Sequence, residues 1–543
     1  MTINSRSNER VGVMTPPLKP TIVLLLLLCL PSVVFAQYPN VRVSDPGSVD
    51  PEEATIAINP TNPLNLVGGA NIDYFYYSMD GGLTWQEGQL TSSLGVWGDP
   101  VVTFDADGYA YYTHLSWPSP PGEWLDRIVV QKSTDGGVTW SDGVGVGLNP
   151  PKEQDKEWIV ADITNSPYRN NLYMAWTEFD DYGSSDPGDS TRILFSRSTN
   201  SGTVWSAPVR ISDVGGNCID EDETVEGAVP AVGPNGEVYL AWAGPLGIMF
   251  DKSLDGGVTF GTDIFVTSQP GGWAFDVPGI YRSNGLPITV CDVSNGPYRG
   301  TVYVVWSDQR MGIDDTDVFL IKSTDGGETW GGLRRVNNDP LGAHQFFPWV
   351  CVDPVTGIIW VVFYDRRNTS GFGTDVYVAR SDDGGETFTN FEISESTFYP
   401  TQTIFFGDYI NIAAIGGVVH PIWMRMDSGV LSIWTTTIND VTGIDAPIVR
   451  AEDIELFQNF PNPFNPTTTI SYSLRGETSV KLSIFDPRGR LVTTLVDGPR
   501  QAGLNRIMWS GNDARGNPVS SGVYFCRLEA SGTVLTKKIM LVR

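Results

Sequence analysis

The sequence predicts an all-β fold: a closed propeller of short-stranded blades, then a small β-sandwich. Three observations predict it. An eight-residue turn pattern recurs six times, with third-position residues at 80, 135, 200, 255, 325 and 383; repeats near this period, filled with short strands, mark propeller blades. Composition agrees, with 59 Gly, 37 Pro, 17 Trp and 20 Tyr in 543 residues, the makings of tight turns and aromatic strands. Charge then divides the chain, since residues 37–452 hold 21 basic and 55 acidic side chains while residues 453–543 hold 11 and 7.

The first element is a leader. Arg6, Arg10 and Lys19 precede the apolar run Thr21–Leu30, Pro31 breaks it, and Val34-Phe35-Ala36 offers small residues before Gln37. That pattern predicts a secretion signal over 1–36. No later segment is apolar for about 18 residues, so no transmembrane segment is expected in the mature chain. Cys218, Cys291, Cys351 and Cys526 are widely scattered, which indicates neither a disulfide framework nor a zinc site. Buried thiols are expected, with a bridge between Cys291 and Cys351 left open. A formal charge of −28 excludes nucleic acid as a partner, because phosphate needs a basic surface.

The repeat occupies 37–441. Its copies run from Ser78-Met-Asp-Gly-Gly-Leu-Thr-Trp85 to Ser381-Asp-Asp-Gly-Gly-Glu-Thr-Phe388, with structural residues Asp80, Asp135, Asn200, Asp255, Asp325 and Asp383. The Ser and Asp side chains can bond turn amides, the Gly pair tolerates positive φ, and the terminal aromatic packs the hairpin onto its blade. Two strand-like runs precede each copy, among them Val101–Phe104 with Ala110–Leu115. A seventh pair, Tyr409–Ile415 and Val418–Met424, is followed by Leu431–Ile438 and by no further copy. Val41-Arg-Val-Ser-Asp45 matches Val209-Arg-Ile-Ser-Asp213, an outer fourth strand, so the N-terminal segment is expected to complete the last blade and remove two exposed edges. The expectation is seven blades; six is the alternative.

These eight-residue copies resemble the Asp-box (BNR) repeat of sialidases and related secreted propellers. The resemblance implies the fold and says little of activity. Sialidase activity in that family uses three arginines, a Tyr–Glu pair and an Asp acid, and its Arg-Ile-Pro stretch does not occur here. Tyr281, Tyr364, Tyr409, Arg282, Arg310 and Arg367 could lie on the appropriate face, but none carries a family role over.

A linker is expected over 442–452 and a small sandwich over 453–543, where short alternating strands are separated by turns such as Pro487-Arg488-Gly489. Phe457-Gln-Asn-Phe-Pro-Asn-Pro-Phe-Asn-Pro466, Ile484-Phe-Asp-Pro-Arg-Gly489 and Ser521-Gly-Val-Tyr-Phe525 resemble the Ig-like C-terminal sorting domain of the type IX secretion system. That resemblance implies passage through the type IX export machinery of a gram-negative bacterium, then release or attachment at the outer cell surface. A generic Ig-like stalk is the plainer reading.

Ligand residues are sought on the propeller face opposite the boxes. Asp308/Arg310 align with Asp365/Arg367 after the second strands, as forked anion grips or as ties between loops. Acids or amides begin most inner strands: Glu53, Asp99, Glu157, Glu226, Gln345 and Asp408, with Asp276 less regular in the fifth unit. They could hold a cation such as calcium, act as general acid and base, or cap amides. The loops Asp180–Asp189 and Asp314–Asp317 are further calcium candidates. Trp117, Trp273, Phe346 and Tyr409 are candidate stacking surfaces, with blade packing as the plain alternative, and Tyr364 is a further ligand-binding candidate. Three functions follow: binding of an extracellular glycan or other polymer, glycoside hydrolysis in the funnel by two carboxyl groups, or adhesion to another protein.

Overall fold

The computed structural model describes residues 38–118, 124–440, 455–456, 459, 462–474, 478–500, 503–530 and 533–542. The leader and the linker at 442–452 lie outside the described residues. Those described form strands and turns and contain no helix.

Six four-stranded antiparallel sheets follow one another, each pairing strands in chain order. Sheet 1 runs from Thr55–Ile58 to Gln86–Gln89, sheet 2 from Val101–Phe104 to Val144–Val146 and sheet 3 from Glu153–Ala161 to Val209–Arg210. Sheet 4 runs from Glu226–Val232 to Ile264–Thr267, sheet 5 from Ile288–Cys291 to Gly331–Arg335 and sheet 6 from Gln345–Val352 to Thr389–Glu392. Sheet 7 holds Asn411–Ile415, Val418–Asp427 and Val430–Thr435, and its outer strand is Val41–Arg42, from the other end of the chain.

That outer strand repeats the geometry of Val209–Arg210. Arg42 Nε donates to Ser44 O at 3.0 Å and Arg210 Nε to Ser212 O at 2.7 Å. The Ile433 amide donates to Ser44 Oγ at 3.0 Å, as the Ile193 amide does to Ser212 Oγ at 3.0 Å. The first strands of consecutive sheets touch in series, and that of sheet 7 touches that of sheet 1. They line a cavity of about 290 Å³ to which all seven contribute, from Ile56–Ile58 round to Asn411–Ile415.

Each eight-residue turn joins a third strand to a fourth. In the first, Ser78 Oγ accepts from the Gly82 amide at 2.9 Å, Asp80 Oδ1 accepts from the Thr84 amide at 2.9 Å, and Thr84 Oγ1 donates to Asp80 Oδ2 at 2.6 Å. The other copies repeat this. The third keeps the amide bond, Val204 to Asn200 Oδ1 at 2.9 Å, but has valine where the hydroxyl would be. The terminal aromatics depart from expectation, since they reach the preceding sheet as well as closing their own hairpin. Trp140 of sheet 2 meets Phe75 of sheet 1 edge-on at 6.0 Å, Phe260 meets Phe195 at 4.8 Å, and Trp330 meets Phe250 at 5.0 Å. The turn is therefore a clip between neighbours. Further in, Trp176, Trp242, Trp306 and Trp423 recur on second strands and are fully buried; each burial is worth about 3 kcal/mol, more than an exposed ion pair supplies.

The C-terminal residues form two sheets. One orders Glu455–Leu456, Thr468–Leu474 and Gly503–Trp509; the other orders Leu491–Arg500, Thr478–Phe485, Gly522–Ala530 and Thr533–Leu541. Their core includes Ile470, Tyr472, Leu482, Ile484, Trp509, Cys526 and Ile539. The four described cysteines are free.

Candidate functional site

In an antiparallel sheet the first and third strands run the same way. The turns that leave the third strands therefore lie at one end, and the starts of the first strands lie at the other. At those starts the backbone is bent. Bulges interrupt the pairing between Asp155 and Trp158, Glu226 and Val229, and Phe346 and Trp349. Lys156, Gly227 and Phe347 occupy the first bulge position with φ of 51°, 78° and 48°. Glu53 and Asp99, two residues before the first paired residues of sheets 1 and 2, share the left-handed conformation at 57° and 51°. Non-glycine residues held there carry backbone strain, a frequent companion of binding sites, and bulges re-aim the side chains beside them.

The side chains so aimed meet across the array. Lys156 Nζ lies 2.5 Å from Asp408 Oδ2, 3.5 Å from Asp99 Oδ2 and 3.9 Å from Glu53 Oε1. Arg282 forks onto the same carboxylate: its Nε donates to Oδ1 at 2.8 Å and its Nη2 to Oδ2, the oxygen that Lys156 also meets. Arg282 stands on an insertion, the hairpin of Ala274–Phe275 and Ser283–Asn284 between sheets 4 and 5. The hairpin is tied down at both ends, with the Ala274 amide on Asp222 Oδ1 at 2.8 Å and Asn284 Nδ2 on Asp408 O at 2.9 Å.

Two adjoining spaces result. An inner pocket of about 50 Å³ is lined by Asp99, Lys156, Glu157, Asn284, Asp408 and the rings of Trp158, Trp349 and Tyr409. Trp158 lies 4.2 Å from Trp349 and 5.5 Å from Tyr409, ring centre to ring centre. A basin of about 450 Å³ shares Lys156, Asn284 and Asp408 with it and adds Asp220, Glu221, Asp222, Asp276, Tyr281 and Arg282. Tyr281 is 57% exposed at the rim and stands edge-on to Phe405.

Burial and charge split the protonation states. Burial alone would raise Asp408, but Arg282 and then Lys156 outweigh it and hold the carboxylate below its usual range. Burial, then the Asp99 charge, raises Glu53 and Glu157 well above the usual carboxyl range and brings Asp155 to about 7. Glu226 is raised by burial and then by Asp220. Glu52, raised by burial and Asp50, reaches about 8. Lys156 is held charged: burial would lower it, and Asp408, Asp99 and Glu53 overcome that.

Of the residues expected from sequence, Asp99, Glu157, Asp408 and Tyr409 line the inner pocket, and Glu226 is buried beside Asp220 and Asp155. Gln345 is elsewhere. It donates to Asp339 Oδ2 at 3.1 Å and Asp365 Oδ1 at 3.3 Å inside sheet 6. Arg310 is closed on Asp308, Nε to Oδ1 at 2.9 Å, and reaches Ser268 O; Arg367 is closed on Asp365, Nε to Oδ2 at 2.8 Å, and reaches Asn338 and Asn390, so each guanidinium ties its loop to a neighbouring segment and lines neither the pocket nor the basin. Tyr364 is a core residue whose hydroxyl donates to Met424 O at 2.8 Å. Trp273 and Phe346 are buried too, whereas Trp117, like Tyr281, is exposed. Asp276 lies on the inserted hairpin and lines the basin. Among the described residues, no group of three or more His, Cys, Asp or Glu side chains is arranged to hold a metal ion. Asp180, one of the calcium candidates, pairs with Lys152 and Arg192, each at 2.7 Å.

Lys156 was missed from sequence. Its signal was a single cation, in Glu153-Gln-Asp-Lys-Glu157, among strand starts that otherwise carry acids.

Residues 465–533 match the family described as FlgD Ig-like domain. No curated protein matches the chain. Solved structures similar to it include a protein of unknown function from Dyadobacter fermentans, 14% identical over 63% of this chain and 94% of that one, TM-score 0.40. The NanB sialidase of Streptococcus pneumoniae is 9% identical over 69% of this chain and 83% of its own, TM-score 0.42. The α-L-arabinanase of Penicillium chrysogenum, solved with arabinobiose, is 13% identical over 75% and 100%, TM-score 0.41.

Proposed function

We propose that this chain is an exported seven-bladed propeller that binds an extracellular glycan at the channel mouth, with the C-terminal Ig-like domain as its sorting signal. The observation that carries the binding reading is the pocket of Trp158, Trp349 and Tyr409 rimmed by buried carboxyl groups and adjoining the basin under Tyr281. Aromatic faces stack on the apolar faces of sugar rings, and carboxylates accept from sugar hydroxyls. Few other ligands use both together at a concave, preformed site. Seven blades are supported by the serial contact of the inner strands and by the pairing of Val41 with Thr435. Export rests on the leader pattern, and the type IX route on the C-terminal motifs.

One observation favours a second reading, glycoside hydrolysis. An ionised Asp408 stands near carboxyl groups that burial keeps protonated, and such a split assigns acid and base in glycosidases. Both are tested on a glycan array, followed by calorimetry and product analysis on whatever is retained. Retention that is lost in Tyr281→Ala supports binding at the mouth. Shortened products, absent with Asp408→Asn, support hydrolysis. Retention by the isolated C-terminal domain would overturn both.

A further inference from the structure

We infer that the inner pocket takes a primary ammonium group, so that the glycan is one bearing free amines. This rests on the binding reading above and narrows it to a chemical class. Glu157 is 2% exposed, lines the pocket, and neither of its side-chain oxygens has a hydrogen-bond partner on another residue. A buried carboxyl left in this way costs free energy unless something else meets it. The cations that line the pocket and basin do not meet it: Lys156 is held by Asp408, Asp99 and Glu53, and Arg282 by Asp408 and Asp220. The groups around Glu157 are therefore Asp99, Asp155 and an already neutralised Lys156.

Three rings complete the environment. Trp158, Trp349 and Tyr409 line the same space, and aromatic faces beside a carboxylate attract a desolvated ammonium. Size agrees, since about 50 Å³ is enough to admit a group the size of an ammonium. The ring itself has room in the adjoining basin of about 450 Å³, where Asp220, Glu221, Asp222 and Asp276 add carboxylates under the exposed face of Tyr281. Surplus negative charge there disfavours uronic and sialic acids. It favours a hexosamine polymer without N-acetyl groups.

The test is calorimetry of the mature chain in near-neutral buffer against the glucosamine tetramer, its N-acetylated form, cellotetraose, sialyllactose and trilysine. The glucosamine tetramer is expected to bind roughly tenfold or more tighter than its N-acetylated form, a difference of about 1.4 kcal/mol. Glu157→Gln, which keeps shape and removes the carboxyl that an arriving ammonium would ionise, is expected to bring the glucosamine tetramer down to the affinity of the N-acetylated form. Equal or tighter binding of cellotetraose, the N-acetylated tetramer or sialyllactose would overturn the ammonium inference and leave the glycan reading standing. Binding of trilysine with no glycan bound would overturn the glycan reading and the hexosamine assignment with it, leaving a site for a cationic peptide.

Discussion

Asp408 is the point on which the site turns, and its replacement by Asn gives the sharpest prediction. It is buried, takes both the fork of Arg282 and the ammonium of Lys156, and its main-chain carbonyl holds Asn284. Asn keeps the shape and one acceptor but removes the charge that the largely buried Lys156 and the half-exposed Arg282 face. Breaking a buried pair from one side costs about 3–5 kcal/mol, and the retained acceptor places this case near the lower figure. For a cooperative unit of about 400 residues, an unfolding entropy of roughly 2.1 cal/mol/K per residue makes 1 kcal/mol worth about 1 °C. The expected fall in Tm is therefore about 3 °C, read by scanning calorimetry. Lys156→Met is expected to destabilise alone, and the double variant to fall short of the sum by about 1–2 kcal/mol, because the two share one interaction. A Tm unchanged in Asp408→Asn, or full additivity, would refute the ion network as described.

Further outcomes follow from the same geometry. Gly257→Ala places a Cβ 2.8 Å from Phe195 of the preceding sheet at φ +78°, and is expected to cost about 2–4 kcal/mol from left-handed strain and overpacking, measured as Tm. Removal of residues 38–48 deletes the amide bonds Val43 to Ile433 O at 2.8 Å and Asp45 to Glu87 at 2.8 Å, the Ser44 Oγ acceptor of Ile433 at 3.0 Å, and the Ser48 Oγ bond to Glu87 at 2.6 Å. At about 1 kcal/mol each, roughly 4 kcal/mol is lost, visible as a lower Tm and faster proteolysis. Stability is also pH-dependent. Asp155 at about 7 and Glu52 at about 8 are raised in the fold, so the stability they contribute is full below the unfolded carboxyl range and is lost as pH rises through those values. Tm is expected to decline from about pH 5 to about pH 8, and Asp155→Asn to flatten the slope; a Tm rising over that interval would contradict the assignment.

The turn repeat was legible because every contact it needs lies within four residues: Ser78, Asp80 and Thr84 satisfy one another locally. The outer strand of sheet 7 was legible because Val41–Asp45 copies Val209–Asp213, including the arginine that grips two carbonyls. What the terminal aromatics touch was not, since Trp140 and Phe75 belong to different repeats and only packing joins them. The same reason hid the site. Asp99, Glu157 and Asp408 could be read as acids at strand starts, but Lys156 and Arg282 join them across more than a hundred residues, through a hairpin that breaks the repeat. The doubled Asp–Arg motif drew attention through its spacing, and that two-residue spacing is what lets Asp308 and Arg310 satisfy each other in their own loop.

Hydrogen exchange with and without the best-retained glycan locates the ligand most directly. A glycan seated at the mouth slows exchange in three places: the hairpin from Ala274 to Asn284, and the bulged starts at Asp155–Trp158 and Phe347–Trp349. The turns at Ser78–Trp85 and their five counterparts would be unchanged. Slowing at those turns, or within 465–533, with the mouth unaffected, would contradict binding at this site.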